Sequence, residues 1–231
     1  MYAVGFGMRR FLEKTITIRD LGITGYAECL ALQERLHAER IADQIGNIVL
    51  LTEHEPVITL GARKPDNKLL LSREQLAGKG IALHTAGRGG AATAHNPGQI
   101  VLYPIVKLKT LSMGLSDYVH TLGKIGIELL RKFGIEADWK KETPGLWVDS
   151  RKIGSVGVQA RKWVTMHGIA INISNDLSIF EAIVPCGLEG VEMTSVLKET
   201  GKAPSIAEAK EAISELCSMY LGAKEAAIHD P

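Results

Sequence analysis

The sequence lacks most of the features that mark a specialised class of protein. Its three cysteines, Cys29, Cys186 and Cys217, are too far apart to indicate a disulfide framework or a zinc ribbon. Because 27 Lys+Arg are balanced by 26 Asp+Glu, no charge excess predicts a nucleic-acid partner. No stretch approaches the roughly 18 consecutive apolar residues of a membrane helix, and Met1–Lys14 lacks the apolar run of a signal peptide. These absences predict a cytoplasmic protein that binds neither nucleic acid nor membrane.

The composition is that of an ordinary globular protein. The 231 residues are 45% hydrophobic and 23% charged, which is enough for a substantial core and argues against disorder. We find no internal repeat and no linker rich in proline or serine. One domain over residues 1–231 is therefore the simplest organisation.

Hydrophobic periodicity predicts both helices and strands. Helices are expected at Tyr26–Ile41 and Ser116–Phe133, and a capping box at Ser205–Glu208 begins a third. Strands are expected at Asn47–Leu51, Val57–Leu60, Gln99–Val106, Leu146–Val148, Ile153–Val158 and Trp163–Ile173, with a turn at Glu53–Pro56. Because the later strands follow one another as hairpins, the pattern predicts a mixed α/β domain with a largely antiparallel sheet.

Several of the 24 glycines fall in one run, Gly87–Ala92. The run fits the loose G-x-G-x-x-[GA] pattern of dinucleotide sites, but Pro97 and Gly98 prevent the helix that this motif requires. Two interpretations remain. The run is a glycine-rich turn, or its small residues let backbone amides approach a ligand, with Arg88 and His95 as polar groups of an acyl or carbonyl site.

The cysteines fall into two groups. Cys29 and Cys217 lie on the apolar faces of predicted helices, where cysteine packs as a small hydrophobe. Cys186 lies in a loop between Pro185 and Gly187, which suits a positioned nucleophile. A thiol reacts as its thiolate, which a nearby ammonium favours, and Lys152 is a candidate although a surface lysine is the ordinary alternative.

No metal site is predicted from the histidines. His54, His84, His95 and His167 have neither the spacing nor the cysteine partners of a metal motif.

Seven groups of residues in order resemble a known family, the octanoyltransferases of lipoate biosynthesis. The resemblance runs from about Arg19 to Leu197. It is carried by Glu53–Val57, Arg88–Gly90 with Thr93, His95 and Pro97–Gln99, then Pro144–Val148, Lys152–Gly157, His167–Asn172, Pro185–Gly187 and Met193–Ser195.

The resemblance implies the fold of the biotin and lipoate protein ligases. It also implies that Cys186 carries an acyl thioester and that Lys152 activates the thiol or moves its proton. Substrate contacts are implied for Arg88, Gly89, Gly90, Ala91, Ala92, Thr93, Ala94, His95, Ser155, Val156, Gly157, Gly168, Ile169 and Ala170.

The reaction implied is transfer of an octanoyl or lipoyl group from acyl carrier protein to a lysine of lipoyl domains, in 2-oxoacid dehydrogenase and glycine cleavage complexes. This would be the first step of endogenous protein lipoylation, performed without a cofactor or metal. A monomer is the default expectation for the chain. An ATP-dependent lipoate-protein ligase of the same fold is the nearest alternative. A non-catalytic module that docks carrier protein or lipoyl domains is another.

Two positions depart from the family pattern. The family has an aromatic residue before the motif histidine and a glycine after it, where this chain has Ala94 and Asn96. Both are expected to border the acyl pocket and to affect its chain-length preference and the shape of the loop.

Overall fold

The computed structural model describes residues 16–140 and 142–222. A seven-stranded sheet forms its centre, in the order β1-β2-β6-β10-β9-β8-β7, and only the β1–β2 pair is parallel. Its strands are β1 (Ile16–Thr24), β2 (Asn47–His54), β6 (Gln99–Ile105), β7 (Asp138–Trp139), β8 (Gly145–Val148), β9 (Arg151–Arg161) and β10 (Val164–Asn172).

A three-stranded sheet stands beside the large one. Its order is β4-β3-β5, and its strands are β3 (Val57–Leu60), β4 (Ala82–Thr85) and β5 (Thr93–His95). The helices are α1 (Tyr26–Ile41), α2 (Arg73–Gly78), α3 (Leu115–Lys132), α4 (Val196–Thr200) and α5 (Ile206–Tyr220). None of these helices is long and apolar enough to cross a membrane.

The main hydrophobic core lies between α3, α5 and one face of the large sheet. Leu122 and Leu129 of α3 pack there with Ile213 of α5 and with Leu102 and Ile171 of the sheet. On the opposite face, α1 packs against alternate residues of the same strands, among them Val101, Tyr103 and Ala170. The alternation of side chains along each strand thus separates two environments.

The structure confirms the mixed α/β fold, and most predicted elements lie within a few residues of their expected bounds. The helix at Tyr26–Ile41, the strand at Val57–Leu60 and the capping box at Ser205 are confirmed. The expected turn at Glu53–Pro56 is wrong in its first half, because β2 continues through His54 alongside β1. β1, β4, β5, β7, α2 and α4 were not predicted. Met1–Lys14 lies outside the described residues, and the single domain over 1–231 stays a prediction.

Candidate active site

Cys186 lies in a tight turn, Pro185–Gly187, between the main sheet and the small one. Its backbone has a φ of +57°, a left-handed conformation that costs a non-glycine residue about 1–3 kcal/mol. The turn is held in place because the Cys186 N–H donates to the carbonyl of Ala92 at 2.9 Å and Val184 N–H donates to Lys68 O at 3.0 Å. Strain of this kind persists where the surroundings enforce it, and it fixes the direction of the thiol.

Lys152 is the polar group nearest to that thiol. Its Nζ lies 3.1 Å from Cys186 Sγ and 3.3 Å from the carbonyl oxygen of Pro144, and 5.2 Å from the centre of the Trp147 ring. The side chain is 1% exposed, and no carboxylate forms an ion pair with it among residues 16–140 and 142–222. A reactive cysteine needs a cation or base beside its sulfur, and Lys152 is the side chain placed to supply one.

Backbone hydrogen bonds join the lysine to the segment that follows the cysteine. Lys152 N–H donates to Glu192 O at 2.8 Å, and Thr194 N–H donates to Lys152 O at 2.9 Å. Lys152 and Met193 therefore form a short parallel bridge at the edge of β9. This bridge and the turn at Cys186 together set the distance between Lys152 Nζ and Cys186 Sγ.

Two glycines allow close packing around the pair. A Cβ on Gly145 would lie 2.6 Å from Lys152 Cε, so only glycine leaves room for the lysine stem. A Cβ on Gly157 would lie 2.8 Å from the carbonyl oxygen of Gly89, where the glycine run crosses β9. The crossing is fixed by Gly89 N–H, which donates to Val158 O at 2.9 Å.

Arg88 organises the glycine run. Its guanidinium donates to Thr59 O and Thr59 Oγ1, both at 2.7 Å, and to Ala91 O at 2.8 Å and Gly89 O at 3.2 Å. Four hydrogen bonds to the small sheet and to the run itself give Arg88 an architectural function beside its predicted contact with substrate. Its Nε remains without a partner.

The predicted site residues come together around one cavity of about 250 Å³. All of them line it except Ala92 and Ala94. Ala92 reaches the site through its carbonyl oxygen, which holds the Cys186 amide. The roles assigned to these residues stay predictions.

The two positions that depart from the family pattern lie beside the cavity and do not line it. Ala94 is fully buried in a second core with Ile58 and Phe180, on the opposite side of β5 from Thr93 and His95. The Asn96 side chain donates to Asp176 O at 2.9 Å and accepts from Asn175 Nδ2 at 3.1 Å. Asn96 thus fixes the loop after β5, and Ala94 has no side-chain contact with the cavity.

Four ring side chains, which we call the aromatic wall, line one part of the cavity: Tyr26, His95, Tyr103 and His167. Tyr26 stacks on His95 with 6.3 Å between ring centres, and Tyr103 meets His167 edge-on at 6.4 Å. His54 joins the two pairs, with its ring 5.4 Å from Tyr26 and 5.8 Å from Tyr103. The sequence analysis missed Tyr26 and Tyr103, since each is an ordinary apolar position in its element.

Burial keeps the histidines of this region neutral. It lowers the pKa of His95 to about 3, with the nearby His54 as a second cause, and burial likewise lowers the pKa of His54 and of His167 to about 4. Within the described residues, no group of three or more His, Cys, Asp or Glu side chains could hold a metal ion. His54, His95 and His167 therefore present uncharged polar groups at neutral pH.

A chain of buried hydrogen bonds assigns the tautomer of His95. The carbonyl oxygen of Thr194 can only accept, so Asn172 donates to it through Nδ2 at 2.9 Å and accepts from Gln99 through Oδ1 at 2.8 Å. Gln99 Oε1 then accepts from His95 Nδ1 at 2.7 Å. The N–H of His95 is consequently on Nδ1, and Nε2 is left as an acceptor.

The other two cysteines differ from Cys186. Burial raises the pKa of Cys29 to about 11 and that of Cys217 to about 12, which keeps both as thiols. Each packs on the buried face of a helix, as predicted.

Comparison with known proteins identifies the family. The model of the lipoyl protein ligase A/B catalytic domain matches residues 25–217. The mitochondrial octanoyltransferase LIP2 of Arabidopsis thaliana is 42% identical over 188 residues, which cover 81% of this chain and 80% of that protein. An octanoyltransferase of Syntrophobacter fumaroxidans is 42% identical over 195 residues, covering 84% and 86%.

Solved structures share the fold at lower sequence identity. A bipartite lipoate protein ligase from Thermoplasma acidophilum superposes with a TM-score of 0.69 at 16% identity, covering 94% of this chain and 88% of that one. A biotin protein ligase from Aquifex aeolicus gives 0.51 at 15% identity, covering 89% and 68%. The chain belongs to the lipoyl protein ligase A/B catalytic domain family and, within it, is an acyltransferase of the octanoyltransferase group.

Proposed function

We propose that this protein transfers an octanoyl group from acyl carrier protein to a lysine of a lipoyl domain, through a thioester on Cys186. The observation that carries the proposal is the 3.1 Å contact between Lys152 Nζ and Cys186 Sγ at a cavity of acyl size. The names of the relatives support octanoyl as the group transferred. The same proposal extends to lipoyl groups, to a cytoplasmic location and to a monomer.

In the first half-reaction, the Cys186 thiolate attacks the thioester carbonyl of the donor. The new bond joins Cys186 Sγ to the acyl carbon, and the bond to the carrier sulfur breaks as the tetrahedral intermediate collapses. The Lys152 ammonium is placed to give its proton to the departing thiolate. Ser155 Oγ, 4.0 Å from Cys186 Sγ, is a second donor close to the developing oxyanion.

In the second half-reaction, the neutral Lys152 amine can accept a proton from the attacking lysine of the acceptor. The amide bond forms, the Cys186–acyl bond breaks, and the thiolate returns beside the ammonium. Because exchange between thioesters is nearly balanced and amide formation from a thioester is downhill, the donor already carries the activation. ATP is not needed in this sequence.

The test is intact mass after incubation with octanoyl-carrier protein and no ATP. We expect an octanoyl adduct on the wild type, its absence from Cys186→Ala, and its discharge on addition of lipoyl domain. Cys217→Ala is the matched control and should acylate normally. Absence of an adduct on the wild type would refute the thioester mechanism.

The same experiment distinguishes the ligase alternative. Structural relatives include a lipoate-protein ligase A bound with ATP, at a TM-score of 0.69 and 17% identity. Modification of the lipoyl domain from free octanoate that strictly requires ATP would favour a ligase, whereas modification from the carrier thioester alone supports the transferase.

A further inference from the structure

Met193–Ser195 is one of the groups that carry the family resemblance, yet none of its three residues lines the cavity. The middle residue, Thr194, is a fully buried threonine that comes directly after the bridge between Lys152 and Met193. A buried hydroxyl needs a hydrogen-bond partner, so the contacts of Thr194 show what this group holds in place.

Lys152 lies outside the regular pairing of β9 on both sides. Towards β8, the register shifts between Leu146 and Trp147, where β9 has one residue more than its partner and forms a bulge. Towards β10, the pairing ends at Gly154, and Met193 takes the place of that strand opposite Lys152. A bulge re-aims the side chains beside it, because the regular ladder is interrupted there. The direction of the lysine therefore depends on the segment that contains Met193.

Thr194 is held by one hydrogen bond to each of three elements. Its N–H donates to the carbonyl oxygen of Lys152 in β9 at 2.9 Å, and its carbonyl oxygen accepts from Asn172 Nδ2 of β10 at 2.9 Å. Its hydroxyl donates to Glu199 Oε1 of α4 at 2.6 Å. Almost any residue can form the two backbone bonds, whereas the third requires a hydroxyl at this position.

Glu199 closes a ring of contacts around Lys152. Arg151, the residue before the lysine, donates to Glu199 Oε1 through Nε at 2.7 Å and to Oε2 through Nη2 at 2.9 Å. The hydrogen bond from Arg151 lowers the pKa of Glu199, although burial acts in the opposite direction, so the group is a carboxylate at neutral pH. Bidentate pairs of this kind are strong and directional. One carboxylate thus fixes both the residue before Lys152 and the residue after the bridge.

We propose that Thr194 and Glu199 are positioning residues for the transfer reaction, whose hydrogen bond holds the Met193 bridge against β9 and so keeps Lys152 Nζ beside Cys186 Sγ. Neither Thr194 nor Glu199 lines the cavity, so both act through Lys152. The inference rests on the proposed function and adds to it two residues on which the placement of the lysine depends.

Thr194→Val and Thr194→Ser separate the hydroxyl from the volume of the side chain. Valine keeps the volume and loses the donor, whereas serine keeps the donor on the same Cβ. In Thr194→Val, kcat for transfer from octanoyl-carrier protein should fall by about tenfold, the factor that corresponds to one lost hydrogen bond. KM should stay unchanged because Thr194 does not line the cavity, and Thr194→Ser should retain the wild-type kcat.

Alkylation of Cys186 by iodoacetamide reports the placement of the lysine without the transfer reaction. In Thr194→Val it should slow at pH 7, and the pH of half-maximal alkylation should rise, because a more distant ammonium stabilises the thiolate less. In the Lys152→Met background the same substitution should have no further effect, since no ammonium remains to be positioned. A merely structural role would change the alkylation rate in both backgrounds.

Glu199→Ala removes the same contact from the other side. It should lower kcat and slow alkylation as Thr194→Val does, and the double variant should be no slower than the slower single variant, because both substitutions break one contact. Lys198→Gln is the matched control. Lys198 is the neighbouring residue of α4, and its exposed ammonium pairs with Glu192 at 2.7 Å, so its loss should change neither kcat nor alkylation.

The outcomes separate this inference from the proposed function. If Thr194→Val keeps the wild-type kcat and alkylation rate, or slows alkylation equally in the Lys152→Met background, the positioning role is overturned while the transferase mechanism stands. If Thr194→Val does not fold, Glu199→Ala decides by the same two measurements. If the wild type forms no octanoyl adduct, the proposed function fails, and alkylation still reports whether Thr194 and Glu199 position the lysine.

Discussion

The two faces of the large sheet are built by the same strands but have opposite chemistry. On β6, Ile100 and Leu102 enter the main core, while Val101 and Tyr103 face α1 and the cavity. The first face is continuous apolar packing, and the second combines apolar side chains with neutral histidines and buried hydroxyls. The comparison teaches that one strand can stabilise the fold with alternate residues and line the candidate site with the rest.

The largest expected effect is on the rate of acyl transfer, and it comes from replacing Lys152 on the cavity face. Lys152→Met keeps the volume of the side chain and removes the charge, so acyl transfer should fall by about 10²- to 10⁴-fold. Alkylation of Cys186 by iodoacetamide at pH 7 should slow as well, because the thiolate loses its compensating cation. Stopped-flow acylation and alkylation rates measure the two effects.

Lys152→Arg separates the two roles of this residue. Arginine keeps the positive charge but does not release a proton near neutral pH. Alkylation at pH 7 should therefore be largely retained while acyl transfer remains slow. Normal alkylation in Lys152→Met would contradict the ion-pair role.

Adjacent residues on β6 provide the sharpest comparison of the two faces. Leu102→Ala should lower the free energy of unfolding by about 2–5 kcal/mol, because it leaves a cavity in the main core. Tyr103→Phe loses only the 2.8 Å bond to His54 Nε2 and should cost about 1 kcal/mol. Urea denaturation measures both, and equal costs would contradict the division between the faces.

Acid should lower the free energy of unfolding through the buried histidines on the cavity face of the sheet. His54, with a folded-state pKa of about 4, stays neutral while the unfolded chain takes up a proton below about pH 6.5. The unfolded state then binds more protons, so stability falls as the pH drops from about 6.5 towards 4. Each such histidine should remove about 2 kcal/mol by pH 5.

Thermal unfolding of the wild type and of His54→Gln between pH 7.5 and 5 tests this. The variant should lose less stability on acidification, because it lacks the contribution of one buried histidine. The exposed His120 gives the matched control, His120→Gln, whose pH dependence should equal that of the wild type. An unchanged slope in His54→Gln would show that this histidine does not contribute.

The smallest expected effect is on the free energy of unfolding, from an exposed ion pair between α3 and α5, the helices that cover the core face. Lys132 Nζ of α3 meets Glu215 Oε2 of α5 at 2.7 Å, with both side chains about half exposed. Because exposed ion pairs contribute little, Lys132→Gln should change the free energy of unfolding by less than about 1 kcal/mol. Chemical denaturation at low and high salt measures it, and a larger loss would mean that the pair orients α5.

Sequence patterns predicted the core face well and the cavity face in part. Apolar residues that repeat about every 3.6 positions predicted α1 and α3, and a run rich in β-branched residues predicted β6. Burial against a core produces such regular patterns. The same patterns could not show that Tyr26 and Tyr103 meet, since they come from a helix and a strand distant in sequence. Nor could they show that the ring of His167 meets Tyr103, because His167 has a left-handed φ of +60° and its N–H donates to Gln33 Oε1 at 3.1 Å.

The resemblance pointed to Cys186 and Lys152 as the reactive pair. Only the fold showed that Lys152 Nζ and Cys186 Sγ are 3.1 Å apart. Ala94 shows why proximity in sequence does not predict proximity to the cavity. It is next to His95 in the chain, yet its side chain lies on the other side of β5. Neighbours in sequence on a strand face opposite environments. A departure beside a motif therefore need not border the site that the motif builds.

The short bridge between Lys152 and Met193 has a consequence for how this protein tolerates change. The segment between Cys186 and Met193 runs over the surface, where insertions are usually accepted. Here both ends of the segment are anchored, one at Cys186 and the other beside Lys152. An added or deleted residue would shift one anchor against the other, so we expect this surface loop to tolerate little change in length.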